Sequence, residues 1–287
     1  MKNFFKLVLL VVIALFSVSI QAQEIQAPLK NSLLWEISGN GLANKSYLYG
    51  TVHVICASDF FLTEKVKKAL ENSNKLILEI NMADPNEIAS MQDLAMGKLT
   101  LDKTLNSSQL SKLDEILKKN TGMTVQQVNG YRLTTVMSLI SIKSFNCNEL
   151  KFYEMEFIAK AKERKMEVSG LETVKNQFSI IENAYTTDEM IASLAESNSE
   201  LNKALVNEYK NENIETLYKN STTEKLMSVK TRAEMLDNRN INWVKALPEM
   251  LLNESSFIAV GAAHLAGEFG VINLLRKAGY SVNPVMK

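Results

Sequence analysis

Two short phrases end in the only two histidines of this 287-residue chain. They are GTVH at 50–53 and GAAH at 261–264, and each follows an apolar run that predicts a β-strand. His53 and His264 therefore lie just past strand ends, where we expect the glycine to let the backbone turn sharply. Such sparing and matched use of histidine favours a shared chemical role over packing. If the two histidines meet, both ends of the chain fold into one site.

A glutamate lies inside a third apolar run. Residues 75–80 (KLILEI) predict a strand with Glu79 near its carboxyl end, which is where ligands gather in open α/β sheets. Burying an unpaired carboxylate costs several kcal/mol, so Glu79 needs a partner. Two interpretations stay open: Glu79 is a metal ligand or general base beside the histidines, or it is an edge-strand residue bonded to a nearby lysine or backbone amide.

Two imidazoles and one carboxylate would suit zinc, manganese or cobalt, with an open position for water. Such a metal lowers the pKa of its bound water toward about 7, so hydroxide becomes available near neutral pH. The chain contains no HExxH motif, so the two histidines do not come from one helical turn. A metal-free alternative uses histidine as a general base and glutamate as its orienting partner. The residues alone do not separate the two.

A predicted long helix over 223–247 carries two further polar candidates. Asn240 lies on its apolar stripe, so its amide faces the core or a site. The neighbouring Arg239 is able to reach a carboxylate, either that of a substrate or that of Glu172, which stands at a strand-to-helix turn. Structural interpretations compete with these roles: a hydrogen bond or surface ion pair for the helix residues, and for Glu172 a favourable charge at a helix N-terminus.

The rest of the sequence predicts the strands and helices that position these residues. Residues 33–54 predict a β-hairpin and 63–73 a helix capped by Thr63. Strand, helix and strand signals return at 257–260, 269–278 and 280–282. From about 86 to 250 the pattern predicts helices that end at Gly122 or span 152–165, 187–196, 199–219 and 223–247, and a short strand at 166–168. The predicted fold class is α/β, a central mixed sheet built from N- and C-terminal strands with a large helical insertion in the middle.

The first 22 residues have the pattern of an export signal. Lys2 and Lys6 precede an apolar stretch at 7–16 and a small-residue region at 17–22. This apolar stretch is shorter than the roughly 20 residues that a spanning helix needs. We therefore expect an exported bacterial protein, periplasmic or secreted, whose domain covers 23–287 and which has no stable membrane insertion after signal cleavage.

The net charge bears on which partners to expect, and the cysteines bear on the cellular compartment. The 32 basic and 32 acidic side chains balance, which gives no reason to expect nucleic acid or an anionic membrane as a partner. Two cysteines in an exported chain, Cys56 and Cys147, either pair or remain buried thiols, and the sequence leaves both open. It does not indicate an oligomeric state.

Taken together, the phrases resemble those of the TraB/GumN family, which includes the Tiki proteases. The similar stretches, in the family's order, are LYGTVHV at 48–54, FFL at 60–62, LE at 78–79, GLET at 170–173 with Gln177, Arg239-Asn240, and VGAAHL at 260–265. The resemblance implies a fold related to the erythromycin-esterase and ChaN-like proteins. It also implies a metal-dependent protease site formed by His53, His264 and Glu79. Manganese or cobalt supports cleavage in the Tiki members, whereas some bacterial relatives are tied to pheromone inhibition or polysaccharide clusters.

The hypothesis that follows is an exported metal-dependent hydrolase that acts as a peptidase on a peptide or protein substrate. His53 and His264 bind one divalent manganese, cobalt or zinc ion, and Glu79 is the third ligand or the general base. This hypothesis depends on folding that brings the three side chains together.

The substrate side of the hypothesis rests on Arg239, Asn240 and Glu172. Arg239 would hold a substrate carboxylate or the oxyanion of the tetrahedral intermediate, and Asn240 would position it. Two hypotheses from other classes stay open. One is a non-catalytic protein that sequesters a peptide or another ligand, and the other is a metal-free esterase that uses a His/Glu pair.

Overall fold

Strands from both ends of the chain form the centre of the fold. The structure, a computed structural model, describes residues 28–286, so the predicted export signal at 1–22 lies outside the described residues. Within the described part the strands are, in chain order, β1 (Leu34–Ser38), β2 (Ser46–Thr51), β3 (Val54–Cys56), β4 (Lys75–Ile80), β5 (Leu150–Phe152), β6 (Glu167–Glu172), β7 (Ser256–Gly261) and β8 (Ser281–Pro284).

Six of these strands form one mixed sheet in the order β6-β4-β7-β2-β1-β8, and β3 pairs with β5 in a separate antiparallel ribbon. β6, β4, β7 and β2 run parallel to one another, whereas β1 is antiparallel to both β2 and β8. The predicted α/β class, with a central mixed sheet built from N- and C-terminal strands, is confirmed. β6, from the middle of the chain, extends this sheet beside β4.

Helices fill most of the chain between β4 and β7, as predicted. Over the described residues the α-helices are α1 (Glu64–Glu71), α2 (Pro85–Ala95), α3 (Leu101–Thr104), α4 (Ser107–Thr121), α5 (Leu133–Lys143), α6 (Tyr153–Glu163), α7 (Val174–Ala184), α8 (Thr187–Glu196), α9 (Ser199–Lys210), α10 (Ile214–Ser221), α11 (Val229–Arg232), α12 (Asn238–Leu251) and α13 (Val271–Lys277). A π-helical turn, Ala233–Asp237, joins α11 to α12, and 3₁₀ turns cover Val125–Val128 and Ala262–His264. None of the described helices has both the length and the hydropathy needed to cross a membrane.

Sequence signals at the element ends explain several boundaries. α4 begins after Asn106, whose side chain accepts a backbone N–H of the first turn, and ends at Gly122, which adopts φ 72°. α8 begins after a capping box at Thr186 and spans 187–196, as predicted. β4 spans 75–80, as predicted, and Leu76, Ile77 and Leu78 are buried because the strand lies between β6 and β7.

Two predicted helices have different boundaries. Residues 199–219 form α9 and α10 rather than one helix, because Glu212 adopts φ 53° and Asn213 caps α10 with its side chain. The helix predicted over 223–247 starts later, at α11, after a cap by Ser228, and continues through the π turn into α12. Apolar periodicity misses these boundaries because polar caps set them.

A disulfide joins the end of β3 to the segment before β5. Cys56 and Cys147 form it, with their Cα atoms 6.0 Å apart, so of the two alternatives left open the structure shows pairing. In the ribbon, Val54 lies opposite Phe152. The disulfide and the ribbon therefore hold the segment that follows His53 against the start of α6.

Replacing both cysteines with serine is expected to lower the free energy of unfolding by about 2–4 kcal/mol. The disulfide spans a sequence separation of 91 residues, and opening it gives the unfolded chain more conformational entropy. Urea unfolding of the oxidised protein and of the double variant would measure the difference. Reduced wild type should unfold at the midpoint of the variant, and equal midpoints for the variant and the oxidised protein would contradict the prediction.

Candidate active site

Four parallel strands bring the histidines and Glu79 to one edge of the sheet. β2 and β7 end side by side, with Thr51 opposite Gly261. His53 follows β2 and His264 follows β7, and their Nε2 atoms lie 3.7 and 3.9 Å from Glu79 Oε1 on the neighbouring β4. The two ends of the chain therefore meet at one acidic side chain.

The glycines of the two phrases permit close packing rather than a turn. Gly261 has φ −55° and ψ 136°, which most residues adopt, and the sharp turn lies instead at His53, with φ 55°. The expected glycine turn is therefore wrong. A Cβ at Gly50 would lie 2.7 Å from Leu265 Cδ1. A Cβ at Gly261 would lie 3.0 Å from His53 Nε2 and 3.4 Å from Glu79 Oε1.

Glu79 is a buried, fully bonded carboxylate. Its Oε1 accepts the Gly261 N–H at 2.7 Å, and its Oε2 accepts Arg239 Nη2 at 2.6 Å and Gln177 Nε2 at 3.3 Å. Burial favours the neutral acid, but Arg239 foremost, and then the histidines and the Gly261 N–H, hold the pKa of Glu79 far below its usual range. Because β4 is an interior strand, the edge-strand interpretation is wrong.

Arg239 is the partner that the buried Glu79 requires, and it binds Glu172 as well. Its Nη2 donates to one oxygen of each carboxylate at 2.6 Å, and its Nε donates to Glu172 Oε1 at 3.1 Å. Its Nη1 donates to the Met235 carbonyl at 2.9 Å and lies 3.1 Å from His264 Nε2. Every guanidinium N–H therefore has an acceptor in the protein. Of the two carboxylates predicted for Arg239, that of Glu172 is present.

Asn240 fixes the orientation of the buried His264 ring. Its Nδ2 donates to the Phe269 carbonyl at 2.9 Å, which leaves its Oδ1 to accept the proton of His264 Nδ1 at 2.6 Å. His264 Nε2 then keeps a lone pair, which accepts an N–H of Arg239 Nη1 at 3.1 Å, and this nitrogen lies 3.9 Å from Glu79 Oε1. Burial first, and the Arg239 charge second, lower the pKa of His264 to about 3, so this imidazole is neutral at physiological pH.

His53 is held in the same way by a glutamate that the sequence did not reveal. Its Nδ1 lies 2.8 Å from Glu154 Oε1, which also accepts the Thr51 hydroxyl at 2.7 Å. The ring lines a cavity, with 54% of the side chain exposed, and directs Nε2 toward Glu79. Desolvation lowers the pKa of His53, but Glu154 and then Glu79 outweigh it and raise the pKa to about 9.

Only one signal in the sequence could have pointed to Glu154. No phrase or periodicity marks this residue, which lies in the first turn of α6. A disulfide between Cys56 and Cys147 places the segment after His53 beside the segment before Glu154. The structure shows these two segments in contact, since the Tyr153 N–H donates to the His53 carbonyl at 2.9 Å. Because the sequence left that pairing open, the inference was out of reach.

Replacing Glu154 with glutamine should lower the pKa of His53 from about 9 towards the ordinary value of 6.5, because a neutral amide does not stabilise the protonated ring. With only two histidines in the chain, proton NMR titration of the imidazole signals resolves both rings. Glu156→Gln is the matched control, since Glu156 pairs with Lys151 instead. A pKa of His53 that stays near 9 in Glu154→Gln would show that this contact does not control the ring.

A cavity of about 470 Å³ opens at this cluster. His53, Glu79, Arg239 and His264 line one end of it, and side chains from the helical middle of the chain line the remainder. Over residues 28–286, no three or more His, Cys, Asp or Glu side chains are arranged to hold a metal ion. In this arrangement Arg239 Nη1 lies 3.1 Å from His264 Nε2 and occupies the lone pair that a metal would use.

The fold and the site define an α/β protein with two histidines and a glutamate at the carboxyl edge of its sheet. The model of the TraB/PrgY/gumN family matches residues 33–284, so the chain belongs to this family, and the predicted resemblance is confirmed. Comparison with the curated proteins gives no match.

Proposed function

We propose that the protein is an exported metal-dependent hydrolase that acts as a peptidase. The observation that carries the proposal is the convergence of His53 Nε2 and His264 Nε2 on Glu79 Oε1, at 3.7 and 3.9 Å. Ligand atoms bound to one tetrahedral zinc ion lie about 3.3 Å apart, so each imidazole nitrogen would need to move only about 0.4–0.6 Å closer to Glu79 Oε1. Manganese and cobalt accept the same nitrogen and oxygen donors.

The orientation of the two imidazole rings and the protonation states of His264 and Glu79 are compatible with metal binding. The Nδ1 atoms of both histidines contact protein acceptors, Glu154 and Asn240, and this arrangement presents each Nε2 to an ion. His264 is neutral and Glu79 is ionised, which are the states that bind metal, whereas His53, with a pKa of about 9, would release its proton on binding an ion. The pKa of Glu79 lies far below its usual range, so this carboxylate is a poor proton acceptor, which favours the role of ligand over that of general base.

Charge balance supports the same assignment. The carboxylates of Glu79, Glu154 and Glu172 surround the single guanidinium of Arg239 and two imidazoles. With His53 protonated, as its pKa of about 9 implies, this group carries one excess negative charge, and it would carry two once His53 releases its proton to bind a divalent cation.

In this proposal Arg239 would lose its contact with His264, and the N–H that becomes free defines its role. Its Nη1 N–H now meets His264 Nε2, the atom that would bind the ion. If that nitrogen held an ion, this N–H would be the one guanidinium donor free for a substrate oxygen, while the other donors would keep their contacts with Glu79, Glu172 and the Met235 carbonyl. A bound metal would supply an activated water near neutral pH. Glu79, His53 and His264 would hold it, and Glu154 and Asn240 would orient the rings.

Export to the periplasm or beyond is part of the proposal. The disulfide between Cys56 and Cys147 supports it, because such bonds persist in oxidising compartments. A peptide or protein is the proposed substrate. The balanced charge of the chain supports the absence of nucleic acid or an anionic membrane among its partners.

Metal-free ester hydrolysis is the second candidate. The His53–Glu154 contact at 2.8 Å favours it, because a carboxylate that orients one ring nitrogen prepares the other to accept a proton, here at a pH above the His53 pKa of about 9. The contact of Arg239 with His264 Nε2 would then belong to the working site.

The test compares the chelator-treated protein with the same protein loaded with manganese, cobalt or zinc. Elemental analysis would give the metal content, and mass spectrometry of a peptide library and an ester panel would give turnover. We expect peptide hydrolysis to rise at least about 100-fold with metal, and to be lost together with metal binding in His264→Ala. Chelator-resistant ester hydrolysis would favour the second candidate. Tight retention of an unchanged peptide would indicate a sequestering protein, and no turnover with any metal would overturn the proposal.

A further inference from the structure

The cavity continues from the histidine cluster into the helical middle of the chain. Apolar side chains line this helical side of the cavity and stay half-buried, namely Ile181 of α7, Leu205 of α9, Met227 before α11 and Met235 of the π turn. Apolar side chains that remain open to a concave pocket beside polar groups are typical of ligand sites. The helical side of the cavity is therefore suited to receive an apolar group.

Charge is confined to the other end of the cavity. Among its described lining residues, the acidic and basic side chains apart from the histidines are Glu79 and Arg239, which bind each other. The polar side chains on the helical side are neutral serines and an asparagine, such as Ser141, Ser197 and Asn202. A charged side chain that entered this part would lose water without gaining a counter-ion, and that loss is costly.

The dimensions and the lining fit one or two amino-acid side chains. A cavity of about 470 Å³ lies within the range of small-ligand pockets, and part of it belongs to the histidine cluster. Met227 and Met235 are flexible and polarizable, so they adapt to apolar side chains of different shape. The pocket should therefore select against charge more strongly than it distinguishes among apolar side chains.

We propose that the helical side of this cavity is a specificity subsite for an uncharged, apolar side chain, such as that of leucine, methionine or phenylalanine, next to the scissile bond of a peptide. The inference rests on the proposed function and deepens it. Met227 is a specificity-determining residue here, because it lines the cavity and belongs to none of the apolar core clusters of the described chain.

The test measures peptide binding separately from hydrolysis. Fluorescein-labelled Gly-Gly-Xaa-Gly-Gly peptides, with leucine, lysine or aspartate at Xaa, are titrated against chelator-treated protein by fluorescence polarisation. We expect the leucine peptide to bind at least about tenfold more tightly than the other two. Met227→Glu should weaken leucine binding and make the lysine peptide the preferred one, because the new carboxylate pairs with the lysine.

The same substitution at an exposed methionine is the matched control. Met96 is 50% exposed and lies outside the cavity, so Met96→Glu should leave the order of binding unchanged. Equal binding of the three peptides, an unchanged order in Met227→Glu, or tighter binding of lauroyl-glycine than of the leucine peptide would overturn the proposal. Selective binding without hydrolysis would refute the proposed function alone, and hydrolysis without selectivity would refute the subsite alone.

Discussion

Gly261→Ala is expected to abolish metal-dependent hydrolysis while the fold stays intact. The added Cβ would lie 3.0 Å from His53 Nε2 and 3.4 Å from Glu79 Oε1, in the space on which the proposed ligands converge. Alanine adopts the backbone angles of Gly261, φ −55° and ψ 136°, and keeps the N–H that donates to Glu79. We expect kcat/KM to fall at least about 100-fold, because a displacement of about 1 Å at a reacting centre has an effect of this size.

Gly130→Ala is the matched control for this substitution. Its Cβ would lie 3.2 Å from the flexible end of Met96, so activity should be retained. Circular dichroism and thermal unfolding would confirm that both variants fold, and elemental analysis would show whether Gly261→Ala has lost its metal. Wild-type metal content and turnover in Gly261→Ala would mean that the reaction takes place elsewhere in the cavity.

The sequence was most informative where local chemistry decides the structure. Residues 75–80 form the predicted strand because an interior parallel strand is apolar on both faces, and such a run is visible in one dimension. Caps at Asn106 and Thr186 set helix starts in the same way. The placement of His53 and His264 at strand ends follows from the same reasoning, since parallel strands end at one edge of a sheet.

What the sequence did not reveal depends on contacts between distant segments. Arg239 contacts Glu79 across 160 positions, and periodicity does not show that all of its N–H groups have acceptors within the protein. The apolar stripe of the predicted helix over 223–247 also gave no sign of the π turn that contains Met235. Such turns often occur at functional sites, and here the Met235 carbonyl binds the Arg239 side chain.

The glycines of the two phrases show how a correct pattern led to a wrong physical reason. The sequence suggested that they allow a turn, whereas Gly50 and Gly261 make room for Leu265 and for the site itself. The left-handed backbone belongs to His53, with φ 55°, a conformation that costs a non-glycine residue about 1–3 kcal/mol. The His53 contact with Glu154 and the ribbon of β3 with β5 hold it. The site thus depends on support that only the tertiary structure provides.

Arg239→Met is expected to lower the free energy of unfolding by about 3–5 kcal/mol, the largest change in stability that the site predicts. Methionine fills much of the same space, but it leaves the carboxylates of Glu79 and Glu172 buried without their shared cation, at 8% and 4% side-chain exposure. Arg239→Lys should recover only part of the loss, because one ammonium does not reproduce contacts made by three guanidinium nitrogens. The unfolding measurement should use metal-free protein, since a bound cation would replace some of the positive charge that Arg239→Met removes.

Urea unfolding of Arg239→Met, Glu172→Gln and the double variant would separate the ion pair from the packing of the side chain. If the carboxylates cause the instability, removing the charge of Glu172 should restore part of the stability in Arg239→Met while destabilising the wild type. Arg232→Met is the control, because Arg232 is 39% exposed and lies 3.6 Å from Asp237, a contact too long for a strong ion pair. Equal losses in Arg232→Met and Arg239→Met would contradict the prediction. A large loss confined to Arg239 would show that one guanidinium keeps two carboxylates buried beside the histidines, and this negative charge is what the proposed cation would meet.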